Sequence, residues 1–109
     1  MGSWEHFEHE ADIGVRGYGH NMAEAFEQAA LAMTAIITEP ASIRPESMIG
    51  LSRFELDPEL LFVDWLNAIV YEMSTRHMFF CRFELRIEEG HLEAQLFGEI
   101  IDPQRHEPA

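Results

Sequence analysis

Apolar and polar residues alternate through the stretch from Cys81 to Gly98. Because successive side chains of a β-strand point to opposite faces, this alternation is typical of strands with one buried face. Glu89-Gly90 interrupts the pattern with residues typical of a tight turn. We therefore predict a β-hairpin over residues 79–101, with one apolar face covered by helices. The predicted inward set is Cys81, Phe83, Leu85, Ile87, Leu92, Ala94, Leu96 and Gly98.

Two segments carry apolar residues at the three- and four-residue spacing of amphipathic helices. The first follows Asn21, a favourable N-cap with Glu24 three residues later, and stops before Pro40. The second opens with Asp57-Pro58-Glu59 and is predicted to end near Thr75–His77. The predicted apolar stripes are Met22, Ala25, Phe26, Ala29, Ala30, Met33, Ile36 and Ile37 on the first helix, and Leu61, Phe62, Trp65, Leu66, Ile69, Val70 and Met73 on the second.

Two more segments are predicted to be extended: Glu5 to Tyr18, with Phe7, Ile13 and Val15 as core candidates, and Ile49 to Leu56. The element order β-(β)-α-β-α-β-β predicts an α+β fold. We expect a two-layer α/β sandwich in which two helices cover one face of a mostly antiparallel sheet. A length of 109 residues predicts a single domain, residues 1–109.

The charge balance limits the classes of partner. Seven basic residues, none of them lysine, stand against twenty acidic ones, for a formal net charge of −13. Affinity for nucleic acid depends mostly on Lys and Arg, so we expect no direct nucleic-acid binding and no membrane binding. Such a chain favours cations or basic proteins, although solubility alone also explains the charge. With no signal-peptide pattern in residues 1–19 and a single cysteine, we expect a cytoplasmic protein in which Cys81 is a buried, inert thiol.

Two clusters of polar residues are candidates for chemistry. His6, His9 and Asp12 combine imidazole and carboxylate groups, which can hold a divalent ion, but a solvated strand edge would look the same. Asp102 and His106 belong to a second cluster, which is predicted to form a turn or helix cap and could equally be an ordinary loop. The sequence contains neither a P-loop nor a dinucleotide-binding glycine motif, and no nucleophile elbow.

Five stretches, in order and spacing, resemble the archease family. They are Phe7-Glu8-His9-Glu10-Ala11-Asp12-Ile13-Gly14-Val15, Ala23-Glu24-Ala25-Phe26-Glu27-Gln28-Ala29-Ala30, Leu61-Phe62-Val63-Asp64-Trp65-Leu66-Asn67, Arg82-Phe83-Glu84 and Asp102-Pro103-Gln104-Arg105-His106. The resemblance covers nearly the whole chain. It implies a strand-helix-strand-strand module elaborated into an α/β sandwich, in agreement with the element order.

The resemblance also implies a function and a partner. Archeases are accessory proteins without catalytic residues of their own that activate the RNA-splicing ligase of the RtcB type, promoting its guanylylation and multiple turnover in tRNA splicing and RNA repair. A chaperone-like role with RNA-processing enzymes is the alternative within the family. A third possibility is an independent metal-dependent enzyme, in which the two polar clusters converge.

The family has an acidic site for a divalent metal, here Ca, Mg, Mn or Zn. The resemblance places Asp12 as its ligand and His9 at the first position of the same motif. Glu10 replaces the motif's threonine and adds negative charge beside it. His9, Glu10, Asp102 and His106 are candidates for supporting the metal or contacting the partner. Archeases continue beyond the position of Ala109 through a strand with a functional lysine and a terminal aspartate, so we expect the domain to be C-terminally incomplete.

Overall fold

The described part of the chain forms two α-helices and five β-strands. The computed structural model describes residues 3–9 and 12–18 by their backbone and residues 21–106 in full. In chain order the elements are β1 (Ser3–His9), β2 (Asp12–Tyr18), α1 (Met22–Ile37), a short 3-10 helix (Pro40–Ser42), β3 (Ser47–Phe54), α2 (Pro58–Arg76), β4 (Met78–Glu88) and β5 (His91–Ile100). The predicted α+β order is confirmed.

The predicted hairpin is confirmed as β4 and β5, which pair antiparallel in a three-stranded sheet of order β3-β5-β4. Glu89 and Gly90 both have positive φ, 49° and 80°. Two consecutive residues with positive φ are what a two-residue hairpin turn of type I′ requires, because its twist matches that of the flanking strands. The turn therefore fixes the register in which His91 faces Glu88.

A β-bulge on β4 changes which of its residues face the helices. Phe80 pairs with Gly98 and Arg82 with Phe97, so Cys81 is the extra residue. Before the bulge Met78 and Phe80 are buried, and after it the buried residue is Phe83. The alternation in the sequence skips one residue here, as bulged strands do.

The prediction that Cys81 belongs to the buried face is therefore wrong. Its side chain is half-buried and Phe80, completely inaccessible to solvent, takes the core position. Burial nevertheless raises the pKa of the Cys81 thiol, which disfavours the reactive thiolate.

Both helices pack on the same face of the sheet. Asn21 caps α1 through its side-chain oxygen, which accepts a hydrogen bond from the Glu24 amide at 2.9 Å, and Asp57 caps α2 in the same way. Trp65 of α2 is fully buried and its indole N–H donates to the Phe26 carbonyl of α1 at 3.0 Å. The core consists of Phe26, Ala30, Leu61, Trp65, Ile69, Met73, Met78, Phe80, Phe83, Leu92, Ala94 and Leu96.

On each helix, fewer residues of the predicted apolar stripe are buried than the spacing predicts. Met22 and Ile36 of α1 and Val70 of α2 are each about two-fifths exposed, while the polar Thr34 is fully buried. The Thr34 hydroxyl is within hydrogen-bonding distance of the Ala30 and Phe80 carbonyl oxygens, so its burial leaves no unsatisfied group.

The N-terminal strands β1 and β2 form a separate two-stranded antiparallel sheet, and α1 packs against both of them. The predicted core candidates Phe7, Ile13 and Val15 lie on these strands, but their side chains lie outside the described residues. In the part of the chain that the structure describes, no helix is long and apolar enough to cross a lipid bilayer.

Substitutions of Gly98 and Gly50 test how closely neighbouring strands of the three-stranded sheet approach one another. A Cβ on Gly98 would lie 1.9 Å from the Phe79 carbonyl oxygen, a backbone atom that cannot move aside, whereas a Cβ on Gly50 would meet nothing within 4 Å. We expect Gly98→Ala to lower the free energy of unfolding by at least about 2 kcal/mol. Gly50→Ala is the matched control and should change it by less than about 0.5 kcal/mol. Urea denaturation measures both, and equal effects would contradict this account of the bulge.

Candidate metal and partner-binding sites

The first candidate cluster lies where β1 ends and β2 begins. His9 is the last residue of β1 and Asp12 the first of β2, and the two are direct partners in the antiparallel register. Directly opposed residues of antiparallel strands have neighbouring Cα atoms, so the hairpin places these two positions side by side. Their side chains, and the whole of Glu10, lie outside the described residues.

A single imidazole and a single carboxylate are fewer ligands than divalent ions take. Hard cations such as Mg²⁺ and Ca²⁺ bind six or more oxygens, and Zn²⁺ takes four ligands. Among the side chains that the structure describes, no three His, Cys, Asp or Glu residues are grouped to hold a metal. The donor chemistry of His9 and Asp12 therefore suits a divalent ion only as part of a larger ligand set.

The second candidate cluster, Asp102 to His106, forms a tight turn directly after β5. The Asp102 carboxylate accepts a hydrogen bond from the Gln104 amide at 3.0 Å, and the Asp102 carbonyl accepts from the amides of Arg105 and His106. The prediction of a turn at Asp102-Pro103 is confirmed. The turn reverses the chain, so that Arg105 and His106 meet the end of β5.

Glu99 holds this turn against the sheet. Its carboxylate is only 5% exposed and receives hydrogen bonds from the Arg105 guanidinium, the His106 ring at 3.0 Å and the Arg44 amide at 2.5 Å. Arg105 also donates to the Ser42 carbonyl at 3.0 Å. These contacts, here called the Glu99 clasp, join three segments of the chain: β5, the turn after it and residues 42–44.

The hydrogen bonds of His106 determine where its proton lies. The Asp102 amide lies 2.8 Å from Nδ1 and can only donate, so Nδ1 accepts. Nε2 therefore carries the proton and donates to Glu99. The ring is completely buried and packs edge-to-face on Phe79 at 5.5 Å. In this arrangement both ring nitrogens of His106 are occupied within the chain, and the geometry assigns the ring a structural role.

The clasp also sets the charge state of Glu99. The Arg105 hydrogen bonds, with further hydrogen bonds from the Arg44 amide and His106, hold the pKa of the Glu99 carboxyl well below its usual range, although burial acts in the opposite direction. Glu99 is the residue of this region that sequence reasoning missed. Its position in the strand pattern is polar and outward-facing, which predicts solvation. The feature of the sequence that could have indicated it is the pair Arg105 and His106, which can donate hydrogen bonds to a carboxylate and follow directly after the predicted turn.

The sheet face that points away from the helices carries an open groove of about 660 Å³, with Gly50 in its lining. Its charged residues include Glu84, Arg86 and Glu93. Arg82, beside it, pairs with Glu84 and lies over the Phe97 ring at 5.0 Å. This mixture of opposite charges gives the groove no preference for one sign of ligand.

Sequence and structure comparisons agree on the family. The model of the Archease protein family matches residues 4–109. This chain belongs to the archease family. Among its relatives, the protein archease of Sulfurisphaera tokodaii is 37% identical over 98% of this chain and 78% of its own length, and that of Pyrococcus furiosus is 37% identical over 99% and 79%.

The solved structures support the same assignment. The solution structure of protein 1598 of Methanobacterium thermoautotrophicum matches with a TM-score of 0.84 and 28% identity, covering 98% of this chain and 79% of that one. Family membership gives this archease an accessory role in RNA processing, in partnership with an RNA ligase, rather than an enzymatic activity. It also confirms the predicted fold class.

The Glu99 clasp should contribute measurably to stability. Glu99→Gln keeps the shape of the side chain but removes the charge that pairs with Arg105. We expect the free energy of unfolding to fall by about 2 kcal/mol, because the remaining buried donors lose an ionised acceptor. Glu93→Gln, on the same strand and exposed, is the matched control and should change stability little. Chemical denaturation at pH 7 measures both, and equal stability of the two variants would contradict a stabilising clasp.

The clasp also predicts a pH dependence with a definite sign. Because the pKa of Glu99 is lower in the folded than in the unfolded chain, its contribution is fully present above the ordinary carboxyl pKa of about 4.3 and is lost as the pH falls below it. The stability difference between wild type and Glu99→Gln should therefore shrink from pH 6 towards pH 3. A difference that stays constant over this range, measured by denaturation at each pH, would contradict a stabilising role of the ionised Glu99 carboxylate.

Proposed function

We propose that this archease activates an RtcB-type RNA ligase in the cytoplasm, promoting guanylylation of the ligase and its multiple turnover in tRNA splicing and RNA repair. The observation that carries the proposal is the family match over residues 4–109, together with 37% identity to archeases over nearly the whole chain.

The distribution of charge supports a basic protein as the partner. Five of the seven arginines form ion pairs with acidic residues of the same chain: Arg44 with Glu46, Arg53 with Asp64, Arg76 with Glu72, Arg82 with Glu84 and Arg105 with Glu99. Most of the positive charge is therefore already neutralised internally. The remaining surface acids would attract a basic ligase and speed its association, and would repel free RNA.

Asp12, supported by His9, is proposed to bind a divalent metal ion that takes part in the activation. The support is their pairing at the ends of β1 and β2 and the preference of such ions for carboxylate and imidazole donors. When bound, the ion would supply positive charge that helps to orient phosphate groups. Asp12 and His9 would hold the ion where β1 ends and β2 begins, and water or the partner would supply the remaining ligands.

A substitution at Asp12 tests the metal proposal. Asp12→Asn removes the charge with little change in size. We expect at least about a tenfold loss of Mn²⁺ affinity, measured by calorimetry on the isolated chain, and a comparable loss in activation of the cognate ligase. Activation is measured as multiple-turnover ligation and as single-turnover guanylylation with and without the chain. Glu93→Gln is the control and should behave as wild type.

The possible outcomes separate the parts of this proposal. If wild type does not accelerate the ligase, the activating role is wrong. If wild type and Asp12→Asn accelerate it equally, the metal role is wrong and a chaperone-like contact explains the activation better. Normal Mn²⁺ affinity of Asp12→Asn together with lost activation would show that Asp12 contacts the partner directly.

A further inference from the structure

Strand β3 forms one edge of the three-stranded sheet, and in the described part of the chain no further strand pairs with it. The other edge strand, β4, is covered by α1, where the Glu27 carboxylate accepts a hydrogen bond from the Leu85 amide at 3.2 Å. An uncovered edge strand offers a row of unpaired N–H and C=O groups to which another strand can add. Of these two edges, β3 is therefore the one that is open to strand addition.

The register identifies the backbone groups that point outward from this edge. The Glu55 amide donates to the Gly90 carbonyl at 2.9 Å, so residue 55 directs its backbone groups towards the β4–β5 hairpin. Successive residues of an antiparallel strand direct these groups alternately to either side, so the even-numbered residues from Met48 to Phe54 direct theirs outward. Their side chains lie on the sheet face away from the helices, where Met48, Gly50 and Ser52 line the open groove. An added strand would form its hydrogen bonds with these residues.

The sequence of β3 lacks the features that commonly keep edge strands apart, which include proline, lysine and β-bulges. Ser47–Phe54 contains no proline, no lysine and no carboxylate, and it pairs with β5 in an unbroken register. Its one charged residue, Arg53, forms an ion pair with Asp64 of α2 at 3.1 Å. A mostly apolar edge of eight residues is thus exposed on a chain whose net charge is −13.

The strand is complementary to a reversed copy of itself. Antiparallel pairing about a twofold axis at Leu51 would place Leu51 opposite its own copy, Gly50 opposite Ser52 and Met48 opposite Phe54. Small residues then face small ones, and the exposed side chains of Met48 and Phe54, at 51% and 57%, cover each other. Cross-strand pairs of large apolar residues stabilise antiparallel sheets. The outward-pointing backbone groups would also meet each other and could exchange hydrogen bonds.

Other registers of the same pairing are less complementary. A twofold axis at Gly50 would place Phe54 opposite Glu46, and an axis at Ser52 would place it opposite Gly50. In both cases an exposed aromatic ring faces a residue that cannot cover it with apolar surface. The pattern of the strand therefore favours the axis at Leu51.

The surface beside β3 on the helix side adds to the contact area. A cleft of about 330 Å³ lies between β3 and α2, and its lining includes Leu51, Arg53 and Tyr71. A strand added to β3 would lie directly beside Leu51 and Arg53, and so along this cleft. One strand and one cleft form a small interface compared with the roughly 800 Å² per partner of a stable complex, so we expect a reversible dimer with a Kd in the micromolar range.

Most charged residues beside the edge have an opposite charge next to them in the same copy. These neighbours are Arg53 and Asp64, Arg76 and Glu72, Arg86 and Glu93, and Arg44 and Glu46. Glu55, directly after the strand, is the exception. The main electrostatic opposition to a dimer is therefore the overall charge of −13 on each copy. Salt screens this repulsion, so the dimer should become tighter as the salt concentration is raised.

We propose that the free edge of β3 pairs antiparallel with β3 of a second copy of this chain, about a twofold axis at Leu51. The two three-stranded sheets then form one continuous sheet. Because the pairing uses the open edge of each copy, assembly stops at a dimer. The proposal concerns this chain alone, and it stands or falls independently of the role with the ligase.

Gly50→Pro tests the backbone pairing. Proline here removes an N–H that points away from β5, so the pairing within the chain is kept while a second strand loses a hydrogen bond and its close approach. We expect the Kd of the dimer, measured by sedimentation equilibrium between about 1 μM and about 1 mM protein, to rise at least about tenfold. Gly50→Ala is the matched control and should dimerise as wild type does, because a Cβ at this position meets nothing within 4 Å. Circular dichroism checks that both variants fold.

A pair of double variants tests the register without proline. Met48→Lys/Phe54→Lys would place like charges opposite each other across the axis and should raise the Kd at least about tenfold, although it lowers the net negative charge of each copy. Met48→Glu/Phe54→Lys would place opposite charges in the same pairs and should dimerise at least about tenfold more tightly than the first variant. Both side chains are exposed, so the fold should persist in each variant.

The outcomes decide the proposal in either direction. A dimer that Gly50→Pro weakens, that Gly50→Ala preserves and that the charge exchange restores supports it. A wild type that stays monomeric at every concentration overturns it, as does a dimer that Gly50→Pro leaves intact or that both Gly50 variants weaken equally. Equal Kd values for the two charged double variants overturn the register. A monomeric wild type whose binding to the ligase is lost in Gly50→Pro would show that a strand of the ligase occupies the edge, which also overturns self-pairing.

Discussion

The β-bulge at Cys81 is the constraint on which both faces of the three-stranded sheet depend. It shifts the alternation of β4 by one residue, so that Phe80 and Phe83 both face the helices. The same shift places Phe79 on the other face, opposite Glu99, where His106 packs on it. This geometry requires a close approach of the two strands, and Gly98 permits it because any Cβ would collide with the Phe79 carbonyl. One local irregularity thus supplies both a core residue and a support for the Glu99 clasp.

Where the sequence pattern was regular, it predicted the structure well. The alternation after the bulge, the turn at Glu89-Gly90 and the caps at Asn21 and Asp57 all follow from local physical preferences, and each appears where it was expected. The sequence pattern does not reveal the bulge, because Cys81 is apolar and therefore continues the alternation of apolar and polar residues. Periodicity cannot reveal an extra residue when either register puts an acceptable side chain on each face.

The Glu99 clasp shows why candidate sites are harder to predict than elements. The sequence predicts Asp102 and His106 as polar residues that could support a metal ion or contact a partner protein. The structure instead shows His106 buried, with both nitrogens bonded to Asp102 and Glu99. That arrangement depends on a chain reversal bringing together residues seven positions apart, and on the backbone of Ser42 and Arg44 arriving from elsewhere. Such convergence is a property of the tertiary fold and leaves no periodic signal in the sequence.

Ion pairs within the chain involve most of the arginines, and this determines the charge of the protein surface. The arginines are largely committed to intrachain pairs, and one of them, Arg105, is required to neutralise the buried Glu99. Because these pairs use most of the arginines, the remaining acidic residues leave the surface with a net negative charge. A protein that depended on free RNA would need the opposite arrangement, with arginines exposed and unpaired. An acidic surface would instead suit an accessory protein whose partner is basic, because opposite charges speed association.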